Sequence, residues 1–235
     1  MDNLFLFLQY QTIYQYTYEY IRPFMKKPQL RVILVHGMGR TPLAMLPLAA
    51  RLRVQGMRPA LFAYVPAFER WNGCVNRLKK FIEKRASTEP FILVGHSLGT
   101  VLIRAVLPRL TRKPIACFLL APPTQACLAA RKLAPRLLYR VLFGEMGQLL
   151  ADPAFMDALP GPDVPTKIYS GTGGPVGRFT PFGQEPNDGV LAVKETLLPH
   201  VPVQTVPSIH TFIMNSRIIA QDIAKTTKEL NRDLS

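Results

Sequence analysis

Six short apolar runs punctuate the chain: Leu30–Val35, Ala60–Val65, Phe91–Val94, Ile115–Ala121, Val164–Ser170 and Val201–Val206. Their length suits strands better than helices, and their lack of polar alternation suits strands covered on both faces. Between the first four, apolar positions recur at helical spacing. One such stretch opens at Thr41-Pro42, a good N-cap and first-turn pair, and runs to about Val54. The next, Trp71 to Arg85, gathers Val75, Leu78, Phe81 and Ile82 on one face and its basic residues on the other. A third follows Phe91–Val94 and extends from residue 98 to 110. The alternation predicts an α/β fold, a parallel sheet with helices on both faces. From residue 122 to about 162 the rhythm breaks. Pro122-Pro123 is followed by two helix-like pieces, Gln125–Phe143 and Met146–Ala158, with Pro135 expected to kink the first. A helical cap inserted after the strand at 115–121 is the expectation, either as a mobile lid or as a fixed wall. Thr211–Leu230 predicts a closing helix.

Candidate chemistry enters at Val94-Gly95-His96-Ser97-Leu98-Gly99. The stretch joins an apolar strand to an apolar-periodic helix, so Ser97 is expected at the apex of a sharp turn. Gly-x-Ser-x-Gly in that context is a nucleophile elbow. Glycines at 95 and 99 remove side chains that would collide with neighbouring backbone. The N–H of Leu98, next after the serine, can point at a developing oxyanion. A second donor is expected in the loop after the first strand, His36-Gly37-Met38-Gly39, from Met38. His36 itself is expected to shape that loop.

A serine hydroxyl needs a base, and the base needs an orienting acid. Asp188, in Glu185-Pro-Asn-Asp188-Gly189, and His210, in Ser208-Ile209-His210, follow Ser97 in the order nucleophile, acid, base. Each lies after an expected strand, so all three can meet at the C-terminal edge of the sheet. Asp152 and Asp157 fall in the cap, and Asp163 precedes its strand. His200 lies on the wrong side of the last strand, and His96 is too close to Ser97 to turn back onto it. Asn-Asp-Gly is also an ordinary turn sequence, which leaves a bland reading of Asp188 open. The glycine-rich Gly171–Gly177 lacks the Lys-Ser/Thr of a phosphate-binding loop and is expected to be a flexible loop.

The segments His36-Gly-Met38, Gly95-His-Ser97-Leu-Gly99, Ala121-Pro-Pro-Thr-Gln-Ala126, Asn187-Asp188-Gly-Val and Ser208-Ile-His210 together resemble small bacterial α/β-hydrolase esterases and lipases, common in cyanobacteria. That group is related to triacylglycerol lipases and to GPI inositol-deacylase-like proteins. The resemblance spans roughly residues 30 to 225. It implies an α/β-hydrolase fold, a Ser97-Asp188-His210 triad, an oxyanion hole from Met38 and Leu98, no cofactor and no metal, and carboxylic-ester substrates. The turn after the fourth strand departs from the family's Pro-Asn-Gln-Gly-Ser, reading Pro-Thr-Gln-Ala-Cys. Acyl transfer and thioester hydrolysis use the same triad and stay open, as does a catalytically silent binding module at a membrane.

Composition adds a partner question. The formal charge is +14 over 235 residues, and basic proteins meet nucleic acid or anionic membranes. No zinc-ligand spacing and no RNA-binding aromatic pattern accompany the charge, so no nucleic-acid partner is expected. Arg131, Lys132, Arg136 and Arg140 alternate with Leu128, Leu133, Leu137, Leu138, Val141 and Phe143, which suits peripheral contact with an anionic lipid surface. Three cysteines without a CxxC pair point to a reducing compartment, and a cytoplasmic location is expected. Residues 1–29 are rich in tyrosine. They are expected to form a helical extension ending near Pro23, although Tyr14–Tyr20 also alternates like a strand. They are expected to be neither signal peptide nor transmembrane span. The remainder, 30–235, is expected to be one hydrolase domain.

Overall fold

The computed structural model describes residues 30–233. The expected N-terminal helix therefore lies outside the described residues. Six strands form one sheet: β1 (Arg31–Val35), β2 (Arg58–Phe62), β3 (Phe91–His96), β4 (Ala116–Leu120), β5 (Thr166–Gly171) and β6 (Val203–Val206). Their order is β2-β1-β3-β4-β5-β6, and every pair is parallel. Parallel neighbours need crossovers, which α1 (Leu46–Val54), α2 (Trp71–Arg85) and α3 (Leu98–Val106) supply on the first half of the chain. The closing helix α7 spans Arg217–Asp233. It begins later than the sequence suggests, because His210–Asn215 winds as a 3₁₀ turn.

The apolar runs are continuous because both sheet faces are covered. Along β1, Ile33 and Val35 pack with α2 and α3, while Val32 and Leu34 pack with α1 and α7. Every residue of β3 is buried, as expected of a central strand. Pro59 sits in β2 without breaking a ladder, since β2 is an edge strand bonded only to β1.

The cap is inserted between β4 and β5. It comprises α4 (Leu128–Leu133), α5 (Leu137–Leu149) and α6 (Pro153–Asp157). The chain breaks around Pro135, splitting the expected Gln125–Phe143 piece into two helices, and α5 kinks at Gly144 (φ 51°, ψ −145°). Buried polar groups fasten both ends of the insertion. At its start, Glu195 accepts from Leu128 N, and its carbonyl accepts from Thr124 N and Oγ1. At its end, the Arg104 guanidinium on α3 donates to the carbonyls of Leu159 and Pro160.

Candidate active site

The order of strands reverses between β1 and β3, with β2 on one side and β4 to β6 on the other. In open parallel sheets a crevice forms beyond the carboxyl ends of the two strands flanking that switch. His36–Met38 leaves β1 at this point and Ser97 leaves β3. The topology thus brings the nucleophile candidate and the expected oxyanion loop side by side before any side chain is considered.

Ser97 has φ 51° and ψ −123°. Such a conformation is rare for a residue with a side chain and stores strain that the surroundings must hold. They do so closely. Ser97 N donates to Leu120 O on β4 (2.9 Å), and Thr100 N and Oγ1 close onto Ser97 O at 2.8 and 2.6 Å. A Cβ on Gly99 would strike the carbonyl oxygen of Val35 and come within 2.6 Å of that of His36; one on Gly95 would lie 2.9 Å from Gly99 C and O. Gly99 therefore lets the elbow press against β1, and Gly95 lets α3 fold back onto β3. Gly37 closes the other side, since a Cβ there would lie 2.7 Å from His96 Nδ1 and 3.0 Å from Ser97 Cβ. Among the described residues, neither Met38 N–H nor Leu98 N–H donates to a protein acceptor. Leu98 opens α3, where the first amides have no partner within the helix.

Asp188 and His210 are brought together. Asp188 Oδ2 lies 2.7 Å from His210 Nδ1. The other oxygen, Oδ1, accepts from Val190 N (2.9 Å) and Leu191 N (2.7 Å). The main chains also pair, with His210 N donating to Asp188 O at 2.9 Å. Asp188 is only 2% exposed, so this carboxylate is oriented by three contacts and shielded from water. It holds the Nδ1 side of the imidazole and leaves Nε2 as the free nitrogen. No hydrogen bond joins Ser97 Oγ to His210 among the described residues; such pairs are commonly long without substrate and tighten on binding.

Two groups missed by sequence reasoning tie the elbow to His210. His96, the residue before Ser97, is fully buried, and its Nε2 lies 3.0 Å from His210 O. The two rings are 4.9 Å apart. Burial, reinforced by the nearby His210, pushes the His96 pKa well below its usual value. It is therefore neutral, with Nε2 as donor and Nδ1 unpaired against Gly37. The second group is the glycine-rich loop, and here the expectation of flexibility is corrected. Gly173 N donates to Ser208 O (3.0 Å) and Gly174 N to Asn187 O (2.8 Å). A Cβ on Gly174 would collide with the Asn187 side chain and Gly189 N, and one on Gly171 would strike Ser208 O. The loop is glycine-rich because it packs backbone to backbone between the turns that carry Asp188 and His210. Asn187, fully buried, completes this seam through Pro175 O and Glu185 O.

The rival residues are engaged elsewhere. His200 lines a cavity of about 430 Å³ with Ala116, Thr166 and Pro199, at the amino ends of β4 and β5. Asp152 caps α6, and Asp163 pairs with Lys113. His36 stacks on Tyr64 at 4.3 Å with Nδ1 on Gly37 O, and burial lowers its pKa. All three cysteines are free and buried, and burial pushes their thiols up, Cys74 to about 12. No group of His, Cys, Asp and Glu among the described residues could hold a metal ion.

A doubly wound parallel sheet, a strained serine at its switch point and a buried Asp-His pair on the same edge define the α/β-hydrolase class. The chain belongs to the alpha/beta hydrolase family, whose family model matches residues 32–223. Comparison with curated proteins finds no match. Among solved structures, the chain is similar to the mature lipase BlEst2 of Bacillus licheniformis (18% identity, 86% of this chain and 93% of that one, TM-score 0.65). It is also similar to a metagenomic carboxyl esterase (14%, 88% and 77%, TM-score 0.65). A third is the RedJ thioesterase of prodiginine biosynthesis in Streptomyces coelicolor (17%, 85% and 85%, TM-score 0.57). At these identities the likeness establishes the fold.

Proposed function

We propose that the protein is a serine hydrolase of carboxylic esters, acting on acyl or lipid esters through an acyl-Ser97 intermediate. The observation that carries this reading is the imidazole of His210, held by Asp188 on the same sheet edge that presents the strained Ser97. In the proposed cycle, His210 Nε2 removes the Ser97 Oγ proton as Oγ attacks the ester carbonyl. The tetrahedral oxyanion is held by the N–H groups of Met38 and Leu98. Collapse expels the alcohol, which takes the proton from His210. Water then repeats the sequence on the acyl-enzyme, and His210 returns the proton to Ser97. Asp188 keeps the tautomer with the proton on Nδ1 and stabilises the imidazolium. The proposal requires neither metal nor cofactor. The names of the structural neighbours, lipase, carboxyl esterase and thioesterase, support an acyl substrate and leave ester and thioester leaving groups both worth assaying.

The test is labelling by a fluorophosphonate probe beside hydrolysis of p-nitrophenyl esters of graded chain length and of an acyl thioester. Wild-type protein is expected to label and to turn over; Ser97→Ala is expected to lose both. Labelling that persists in Ser97→Ala sinks the assignment of the nucleophile.

A further inference from the structure

The cap helix α5 has two unlike faces. Its inner face carries Tyr139 and Phe143, one turn apart, with Met146 beyond the kink at Gly144. Tyr139 Oη lies 4.0 Å from Met38 Sδ, the Phe143 ring lies 3.3 Å from where a Cβ on Gly39 would be, and Met146 is fully buried. The inner face is thus packed on the loop after β1, beside Ser97. The outer face should be polar if it met only water. Instead Leu137, Leu138, Val141 and Leu142 are 75%, 69%, 64% and 50% exposed, and Leu133 on α4 is exposed beside them.

Among these leucines stand Arg131, Lys132, Arg136 and Arg140, all exposed. No side chain of the four forms an ion pair or hydrogen bond among the described residues, and no acidic residue lies between Leu128 and Phe143. The acidic groups nearest in sequence, both exposed, are engaged in local hydrogen bonds: Glu145 accepts from Trp71 N and Asp152 caps α6. Apolar side chains standing out of a ring of unpaired cations suit an interface with apolar depth and negative charge at its rim. Bilayers containing anionic phospholipid have that profile.

The other occupants fit less well. A second copy of the same face would set eight cations against each other. Residues 1–29 carry two acidic and three basic side chains, so that segment does not offer the complementary charge either. Nucleic acid would meet the arginines and leave the leucines in water.

We infer that the exposed face of α4 and α5 docks the protein onto anionic phospholipid membranes, leaving the inner face of the cap against the loop beside Ser97. The docking stands on exposure and charge alone. That it presents membrane-held acyl esters to the site rests on the hydrolase reading above.

The experiment is flotation of the full chain with vesicles of phosphatidylcholine alone and of phosphatidylcholine with 30% phosphatidylglycerol (a composition chosen at about the anionic content of cell membranes). Two variants accompany the wild type. One replaces Arg131, Lys132, Arg136 and Arg140 with Gln; the other carries Leu137→Ser, Leu138→Ser and Leu142→Ser. Neutral-vesicle binding is expected to be weak. Binding to the anionic vesicles is expected to fall with salt and to drop at least ~10-fold in the charge variant, a conservative figure given roughly fivefold per basic residue near such a surface. The leucine variant is expected to lose binding to both vesicle types. Hydrolysis of a soluble short-chain p-nitrophenyl ester separates the two readings. Both variants should retain it, because the substituted residues lie away from the site. Equal anionic-vesicle binding by wild type and charge variant overturns the inference and moves any membrane contact elsewhere in the chain. Wild type that fails to float with anionic vesicles overturns it as well. A leucine-dependent dimer in light scattering, with no vesicle binding, assigns the face to a second copy instead. Flotation with no turnover of any ester would leave the docking intact and overturn the hydrolase proposal.

Discussion

Asp188→Asn tests the proposed catalytic arrangement at one atom. The Asp188 carboxylate divides its two oxygens: Oδ1 takes two main-chain N–H groups, from Val190 and Leu191, and Oδ2 faces His210 Nδ1. An asparagine amide has one oxygen and one NH₂. Its oxygen must face the two main-chain donors, because the opposite orientation would set NH₂ against both. The amide NH₂ therefore faces His210 and can only donate. Nδ1 becomes the acceptor and the ring proton moves to Nε2. Nε2 is then a donor and cannot take the Ser97 proton. In serine-protease triads the equivalent loss of tautomer costs on the order of 10⁴ in kcat, or about 5.5 kcal/mol of barrier. The shape of the side chain is unchanged, so the cost in stability is that of one weakened charge-assisted hydrogen bond, roughly 1–3 kcal/mol. For a chain of this size that lowers Tm by about 2–12 °C. The assay is kcat and KM on the best p-nitrophenyl ester, with thermal unfolding of the same samples. The expected result is a kcat lower by three to four orders of magnitude, about the 10⁴ above, with KM near wild type. A folded Asp188→Asn enzyme with kcat within about tenfold of wild type, one unit on the same scale, would refute the reasoning, because no second carboxylate orients His210 among the described residues.

Two further outcomes concern the fold that holds the site. Gly99→Ala would push a methyl group into the Val35 and His36 carbonyls; neither oxygen can retreat without moving β1. The expected penalty is roughly 3 kcal/mol, read as a Tm drop of about 6–12 °C, and a Tm within ~2 °C of wild type would contradict the tight elbow. His36 and His96 have pKa values lowered by burial from the ordinary 6.5. Both stay neutral in the folded protein where the unfolded chain already binds protons, so stability is complete above about pH 6.5 and falls as pH drops below it, by up to about 1.4 kcal/mol per pH unit for each ring. His96→Gln keeps an N–H donor for His210 O and removes one of the two titrations. Chemical denaturation at pH 7.5 and 5.0 should show a smaller acid loss in the variant; an equal loss in both proteins counts against a neutral His96.

Much of this architecture was legible in the apolar runs, because strands covered on both faces leave uninterrupted hydrophobic sequence. Ser97 was legible because an elbow under strain needs small residues at fixed offsets. Asp188 and His210 followed from chain order, and the structure places them in contact. Boundaries were read less well where local geometry departs from a repeating pattern. The closing helix begins at Arg217 instead of Thr211, since the residues after His210 wind as a tighter turn. The glycine-rich loop was misread for a deeper reason. Composition cannot distinguish a glycine chosen for freedom from one chosen because another backbone lies against it, and Gly171, Gly173 and Gly174 are of the second kind. His96 went unassigned because its partner is a main-chain carbonyl 114 residues away, a pairing with no sequence signature.

The residues of the proposed reaction and the helices of the proposed docking face sit on different structural supports. Ser97, Met38 and Leu98 belong to the central strands and the turns they launch, where a shift of one Cβ is a collision. The cap belongs to an insertion of three short helices, held at its ends by Glu195 and Arg104 and touching the site through Tyr139 and Phe143. Between those anchors the insertion has a hinge-like break at residues 134–136 and a kink at Gly144. A segment built in this way can change its outer face without disturbing the strands, because few of its outward side chains contact the core. The +14 charge then has a structural place to act. In the proposed docking it acts where the cap exposes basic side chains beside leucines, on the helix whose Tyr139 touches Met38. The proposed docking by the cap surface and the proposed chemistry at the elbow can thus vary independently within one fold, so that Ser97→Ala tests the one and the charge and leucine variants of the cap test the other.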